Sequence, residues 1–496
     1  MTSPARELAT GKGSPLAREP GAPKRMAVVR VAAPLIVGAV LALAPVPQGL
    51  TPNAWRYFAL FAAVIVGVIT EPIPPATVGL AGVVTAAVLG LVHTSTAQAT
   101  SWALSGFANN TVWLIFAAYM LALGYSKTGL GKRIALVLIR AMGKRTLGLG
   151  YAIALSDLLL APFTPSNTAR SGGTIYPIIS NIPELYGSRP GEESARKIGG
   201  YLMFTALAAT CVTSCMFMTA MAPNVLAISL IAKTIDVTIS WGEWAKGFAP
   251  VGIPLFILTP FLLYKIYPPE IKESPDAPIW ANRELQEMGP ITRKEITLLA
   301  IVITALALWI GGAKYIDSGL AAIAAVVLMV VLRVVSWNDV LGYSQAWNVL
   351  VWFATLVTMA GGLAETKFVD WVALTLAPSF SAFGTTTAIL LVLSAFFFLH
   401  YFFASGTAYV SALLPVFLGV AVKIPGLSPK AWALLLAYTV GLSSIVTPYA
   451  GGPCPIYYAS GYVKSKDFWV LGTVLGLVFF VVYVAIAVPW MMFLEI

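Results

Sequence analysis

A short polar stretch, FTPSNTARSGG at residues 163–173, lies between two apolar runs. Its Ser166, Asn167 and Thr168 carry hydroxyl and amide groups of the kind that cap the unpaired N–H groups at a helix start. The same groups, together with the positive end of the helix dipole, bind carboxylates and other anions. The stretch therefore predicts an anion-binding helix start, the alternative being that Ser166 and Thr168 only cap a helix.

The pattern returns 239 residues later, where FFASGTA at 402–408 matches FTPSNTA at 163–169. Ser405, Gly406 and Thr407 then stand where the first copy has Ser, Asn and Thr. The same offset aligns SGFANNTVW at 105–113 with SQAWNVLVW at 344–352. One offset that serves two separate windows indicates an internal repeat, and the distribution of charge gives the halves inverted topology, as in many secondary transporters.

Each half contains a second interruption rich in prolines, glycines or hydroxyl residues, at 213–224 and at 443–462. Proline and glycine do not continue a regular helix, so we expect the helix to break at both places and expose its backbone to a cavity. The alternative is a packing kink. The candidate binding residues at these breaks are Thr219, Asn224, Thr447 and Pro448.

Two basic side chains fall inside the apolar segments, Arg170 and His400. Ionisable groups within a membrane are costly and often functional. Arg170 keeps its charge at any relevant pH, whereas His400 can be neutral or charged. We expect both near the bound anion, although His400 could instead be a hydrogen-bonded histidine between helices.

The composition identifies the class of protein. Of 496 residues, 58% are hydrophobic and 10% are charged, against roughly 25% charged in soluble proteins. Many apolar runs approach the ~20 residues that cross a bilayer, and they are continuous, unlike the alternating strands of a β-barrel. The sequence predicts an all-α polytopic membrane protein with about 11 transmembrane helices and two re-entrant hairpins.

Several functions find no support in the sequence. No GxxxxGK[ST] loop is present, so ATP-driven transport is not indicated. Two histidines and three dispersed cysteines form no metal cluster, and no acid–base set accompanies the polar tips. We expect no enzyme activity, no cofactor and no metal site. The net charge of +10 has two explanations, membrane orientation and attraction of anions, of which orientation is favoured. No nucleic-acid partner is expected.

Lysine and arginine are concentrated in the segments that alternate crossings would place in the cytoplasm, beginning with residues 127–145. We therefore expect a cell inner-membrane protein with a cytoplasmic N-terminus and an external C-terminus. The predicted organisation is a disordered tail at 1–25, scaffold helices at 26–110, a first transport region at 111–264 with an inner hairpin at 147–182, a cytoplasmic linker at 265–296, scaffold helices at 297–345, and a second transport region at 346–496 with an outer hairpin at 384–421.

Three motifs resemble those of the divalent anion/sodium symporter (DASS) family: PSNTAR at 165–170, LHYFFASGTAY at 399–409 and TPYAGGPCPIYYASGY at 447–462. ITEPIPPATVGLAG at 69–82 resembles the early segment of that family, and the resemblance extends from about residue 30 to the end. It is greatest for the branch of di- and tricarboxylate exchangers, which includes citrate/succinate and tartrate/succinate antiporters and 2-oxoglutarate/malate translocators.

The resemblance implies a homodimer in which a mobile transport domain slides as an elevator against a scaffold. It also implies that the two polar tips line the substrate site. Sodium-coupled members have Ser-Asn-Thr at both tips, whereas the second tip here has Gly406 and lacks an amide oxygen. We expect Arg170 and His400 to replace sodium, which makes the protein a sodium-independent antiporter of C4–C6 di- or tricarboxylates.

Three other functions are weighed against this one. A sodium-coupled dicarboxylate symporter is the nearest alternative. An anion-selective channel would show current without saturation, and the broken helices argue against it. A membrane enzyme would need an acid–base set on its cytoplasmic side. The acidic loop there, at 183–198, is better explained as a solvated connector.

Overall fold

The computed structural model describes residues 24–312, 314–381 and 383–494. The tail expected to be disordered, 1–25, lies outside these ranges except for its last two residues, which begin the first helix. The described residues form α-helices and no β-strand. The predicted all-α polytopic membrane class is confirmed, because apolar helices long enough to cross a bilayer make up much of the described chain.

The first half contains twelve α-helices, which we number in chain order. They are α1 Lys24–Leu43, α2 Pro52–Thr70, α3 Pro75–Val88, α4 Thr96–Leu104, α5 Asn110–Thr128, α6 Leu130–Met142, α7 Thr146–Leu160, α8 Tyr176–Ile179, α9 Ile182–Leu185, α10 Gly199–Met216, α11 Ala222–Ile235 and α12 Trp241–Ile266. A π-helical segment, Thr168–Ile175, leads into α8.

The linker and second half continue the numbering. The helices are α13 Asp276–Met288, α14 Arg293–Gly311, α15 Ser318–Val331, α16 Trp337–Gly342, α17 Ser344–Glu365, α18 Phe368–Ser381, α19 Thr385–Leu399, α20 Gly406–Ala421, α21 Pro429–Leu442, α22 Cys454–Ala459 and α23 Ser465–Leu494. Short 3₁₀ turns join several of them, including Ser443–Val446 after α21.

Ten helical segments in the described ranges are long and apolar enough to cross a bilayer. Further apolar helices of 10–17 residues include α11, α15 and α20. Several of these shorter helices are halves of interrupted segments. This explains why the number of membrane-crossing helical segments differs slightly from the predicted number of about eleven. A span broken by proline or by an unwound turn is divided between two shorter helices.

Both polar tips are breaks between two consecutive helical segments that contact each other. In the first hairpin, α7 ends at Leu160 and helical structure resumes at Thr168. In the second, α19 ends at Leu399 and α20 begins at Gly406. The breaks fall at the same offset as the sequence repeat. Each hairpin is followed by an interrupted helix, α10–α11 in the first half and α21–α22 in the second.

The segments predicted to be cytoplasmic lie together on one face of the molecule. Lys132 in the first basic stretch pairs with Glu284 of the linker at 2.9 Å. The backbone N–H of Thr146 donates to the carbonyl of Lys272 at 3.0 Å, and that of Ile271 donates to the carbonyl of Lys197 at 2.9 Å. The segments 127–145, 183–198 and 265–296 therefore share one end of the bundle, as the charge pattern requires.

Candidate functional site

The two hairpin tips meet the two interrupted helices around a cavity of about 180 Å³. All four interrupted segments contribute to its wall, and one further helix, α5, contributes a tyrosine. The lining residues are Tyr119, Pro165, Ser166, Asn167, Thr168, Met221, Ala222, Pro223, Ala404, Ser405, Gly406, Thr407, Val440, Ser444, Gly451 and Gly452. The structure thus brings both predicted Ser-x-Thr tips to one site.

The two serines of the tips accept capping hydrogen bonds from their helices and line the same cavity. The N–H of Ala169 donates to Ser166 Oγ at 3.1 Å, and the N–H of Ala408 donates to Ser405 Oγ at 3.4 Å. A serine hydroxyl that accepts such a bond still has its own proton to donate. The capping and the binding interpretations are therefore compatible, because each serine can cap its helix and donate to a ligand.

The described residues of the cavity wall are both polar and apolar, and none of them is charged. None of its residues, all within the described part of the chain, is Lys, Arg, His, Asp or Glu. An anion in this cavity would meet hydroxyl and amide donors and two helix starts, whose N–H groups carry partial positive charge. A small cavity with these donors suits a compact anion with two acidic ends, one for each tip.

Arg170 is fully buried beside the cavity and does not line it. Its Nη1 donates to the carbonyls of Thr164, at 2.9 Å, and Ala220, at 2.6 Å. These carbonyls belong to the first tip and to the break between α10 and α11. The guanidinium therefore joins two unwound segments. It donates hydrogen bonds to carbonyl oxygens that have no partner within the adjoining helices.

The rest of the guanidinium is equally occupied. Nη2 donates to Thr210 Oγ1 at 3.2 Å and to Ser214 Oγ at 3.1 Å, and Nε donates to Asp157 Oδ2 at 3.1 Å. An arginine has five N–H donors, so every one has a partner. A substrate cannot receive a hydrogen bond from Arg170 unless this network opens.

Asp157 is a buried charge that the sequence analysis overlooked. It lies on α7, thirteen residues before Arg170, and its Oδ2 also accepts a hydrogen bond from Thr213. Its Oδ1 has no hydrogen-bond partner among the described residues. The lone Asp within ALSDLLLAPF was the available signal. Because this carboxylate pairs with Arg170, the cation beside the cavity is already balanced.

His400 is buried behind the second tip and does not line the cavity. Its Nδ1 lies 2.6 Å from Ser443 Oγ, and its ring stacks on Tyr409 at 4.3 Å between centroids. Its Nε2 has no partner within the described ranges. The contacts of His400 link the second hairpin to the break after α21, in the same way that Arg170 links the first hairpin to the break after α10.

The four residues predicted at the interrupted helices also lie behind the wall. Thr219 donates to the carbonyl of Pro162 at 2.5 Å, and Asn224 donates to those of Ser214, at 2.7 Å, and Phe217, at 3.2 Å. Thr447 and Pro448 are buried beyond the turn at 443–446. Thr219 and Asn224 stabilise the first break, because an unwound carbonyl buried in a membrane needs a hydrogen-bond donor. Substrate contact by these four stays a prediction.

Several lining residues were not predicted from the sequence. Ser444, Gly451 and Gly452 lie within a stretch that was predicted to be a break, so their neighbourhood was signalled although they were not named. Tyr119 had no signal, because it stands in the apolar helix α5 without a proline or glycine beside it. Aromatic hydroxyls in such helices are common, and only the fold shows that this one faces a cavity.

Comparison with known proteins agrees with this arrangement. Residues 25–496 match the family described as sodium:sulfate symporter transmembrane region. The chain is 47% identical over 474 residues to proteins named L-tartrate/succinate antiporter from Shigella sonnei (strain Ss046) and from Escherichia coli (strain K12). Each alignment covers 93% of this chain and 97% of the relative.

Two solved structures show the same fold at low sequence identity. The YdaH transporter of Alcanivorax borkumensis matches with a TM-score of 0.55 and 15% identity, over 95% of this chain and 97% of the other. MtrF of Neisseria gonorrhoeae matches with a TM-score of 0.54 and 14% identity, over 96% of each chain. Both structures are similar to this chain in fold alone.

Proposed function

We propose that this chain, which belongs to the sodium:sulfate symporter family, is a membrane antiporter that exchanges C4–C6 di- or tricarboxylates without sodium. The substrate class includes succinate, malate, 2-oxoglutarate, citrate and tartrate. The observation that carries the proposal is the uncharged cavity between two capped helix starts, Ser166–Thr168 and Ser405–Thr407. The antiporter name of the relatives supports the same function.

A dicarboxylate has one acidic group for each tip. The first tip offers Ser166, Asn167 and Thr168, and the second offers Ser405, the backbone at Gly406, and Thr407. Hydrogen bonds to a charged group contribute about 1.5–3 kcal/mol each, so a few of them hold a carboxylate without a lysine or arginine in direct contact. Neutral donors also allow release, which a carrier needs as much as binding.

We assign the place of a sodium ion to the guanidinium of Arg170. The atoms around it are all oxygens: two carbonyls, two hydroxyls and the Asp157 carboxylate. A small cation would find suitable ligands in this shell. At the second tip, a Cβ atom at Gly406 would lie 3.3 Å from Pro223 Cγ. Gly406 has no side chain, so this position offers no amide oxygen to a cation. His400 is the corresponding basic residue.

The transport movement is proposed as an elevator. The four interrupted segments enclose the substrate and move together as the transport domain. In place of the boundaries at 111 and 346, the packing favours adding α5 and α17 to the scaffold, because α5 packs on α15 and α17 packs on α3. We further propose a homodimer in the cell inner membrane, with the N-terminus and the basic face in the cytoplasm and the C-terminus outside.

Proteoliposomes loaded with succinate should accumulate labelled external succinate in sodium-free buffer, and empty vesicles should not. Exchange needs a substrate on both sides of the membrane. A sodium ion would be released down its gradient and so drive net uptake, whereas the fixed cation stays bound to the protein. The measurement is initial uptake with and without internal succinate, in choline and in sodium buffers. Uptake that needs sodium, and is indifferent to internal succinate, would instead establish the symporter.

Gly452→Ala should lower exchange by about tenfold or more, since overpacking typically costs ~1–3 kcal/mol. A Cβ at Gly452 would overlap Thr168 Oγ1, so the first tip and the second interrupted helix would have to separate. Gly173→Ala is the matched control, because no heavy atom lies within 4 Å of a Cβ there. Succinate exchange in both variants tests this close approach, and equal activity of the two would refute its importance.

A further inference from the structure

One polar side chain in the cavity comes from outside the interrupted segments. Tyr119 is carried by α5, which packs against α14, α15 and α17 and also against α11. Of these four neighbours, only α11 supplies residues to the cavity, Ala222 and Pro223, and neither has a polar side chain. Tyr119 therefore adds a polar group to a part of the wall outside the two tips, where it can recognise a part of the ligand that the tips do not hold.

Tyr119 stands next to the first tip. Its hydroxyl interacts with the side chain of Ser166, and both residues line the cavity. A phenol hydroxyl can donate one hydrogen bond and accept others, so it can serve Ser166 and a ligand hydroxyl at the same time. The remaining wall near the tips is largely apolar, with Met221, Ala222 and Pro223.

The place of Tyr119 beside Ser166 suits one particular part of the substrate. If the first tip holds the carboxylate of carbon 1, the neighbouring atom is carbon 2, and a hydroxyl on that carbon can be directed at Tyr119. Ser444 does not offer the same chemistry, because its hydroxyl already donates to the carbonyl of Val440 at 3.0 Å. Tyr119 is thus the wall group best suited to pair with a 2-hydroxyl group.

We infer that Tyr119 is a specificity-determining residue, which favours 2-hydroxydicarboxylates over the same acids without the hydroxyl. This inference rests on the proposed function, since it assumes that the cavity binds a dicarboxylate through its tips. Tyr119 would set the preference between substrates, and the tips alone would carry unsubstituted acids.

The test uses L-malate and succinate, which differ by one 2-hydroxyl group. In succinate-loaded proteoliposomes, Tyr119→Phe should raise the concentration of L-malate needed for half-maximal uptake by about tenfold, the effect of one lost hydrogen bond. The same value for succinate should change less than about twofold. Equal loss for both acids, or no change for either, would overturn the inference.

Tyr125→Phe is the matched control, because Tyr125 is buried on the same helix and does not line the cavity. A second measurement needs no variant: 2-methylsuccinate should compete with labelled succinate about tenfold less well than L-malate does. Equal competition, or a wild-type protein that exchanges succinate and ignores L-malate, would also refute the role of Tyr119. Absence of any succinate exchange would refute the proposed function itself.

Discussion

Arg170→Ala should abolish sodium-free exchange. The substitution removes five hydrogen bonds at once and releases the carbonyls of Thr164 and Ala220, which hold the first tip against the break after α10. It also leaves Asp157 as a buried carboxylate without its partner, a change that typically costs about 3–5 kcal/mol. The measurement is counter-substrate exchange in vesicles, alongside thermal unfolding of the purified variant.

A double variant separates the two roles of the arginine. In Arg170→Ala/Asp157→Asn the buried charge is removed with its partner, so the ionic penalty disappears while the tip stays unsupported. We expect this protein to be more stable than the single variant and still inactive. Exchange near the wild-type rate in the double variant would show that Arg170 only balances Asp157.

Added sodium sharpens this comparison. The single variant leaves the Asp157 carboxylate, two hydroxyls and two carbonyls around a space without a cation, so sodium should restore part of its exchange. The double variant lacks the carboxylate and should not respond. Sodium rescue of both variants, or of neither, would contradict the proposal that the guanidinium occupies the place of an ion.

Ser405→Ala should weaken substrate binding by roughly 1.5–3 kcal/mol, the contribution of one hydrogen bond to a charged group. This corresponds to an increase of about 10- to 150-fold in the substrate concentration for half-maximal exchange. Ser166→Ala should have an effect of the same size, because the two serines occupy equivalent positions at facing helix starts. Competition of unlabelled succinate against labelled succinate measures both changes.

The control for these serines must remove a cap without touching the cavity. Ser240 caps α12 through the same kind of bond, from the N–H of Glu243 at 3.2 Å, and does not line the cavity. Ser240→Ala should lower stability by about 0.5–2 kcal/mol and leave the concentration dependence of exchange unaltered. If it shifted that dependence as much as Ser405→Ala does, the effect of Ser405 would be attributable to capping alone.

The backbone breaks could be predicted from the sequence because they have local causes. Proline, glycine and capping residues act within a few positions of themselves, and the repeat at an offset of 239 residues placed both tips in register. The six tip residues from Ser166 to Thr168 and from Ser405 to Thr407 all line the cavity. The basic segments could be assigned to one face because the positive-inside rule depends on composition alone.

The contacts behind the cavity could not be predicted in the same way. Arg170 was recognised as an intramembrane charge, but its position depends on Asp157, Thr210 and Ser214, which lie on two other helices. A hydrogen-bond network of this kind is set by how the helices pack, and no local spacing encodes it. Tyr119 required the same information, because its apolar helix has many faces and only one meets the tips.

The guanidinium shared by the first tip and the α10–α11 break has a consequence for where such a protein can work. A cation attached to the chain has a local effective concentration that the surrounding medium does not change, whereas a diffusible ion must be present at a level near its own affinity. We expect the substrate affinity to be the same in fresh and in saline water. When the two exchanged acids carry the same charge, the direction and energy of transport would then be determined only by their concentration ratios across the membrane.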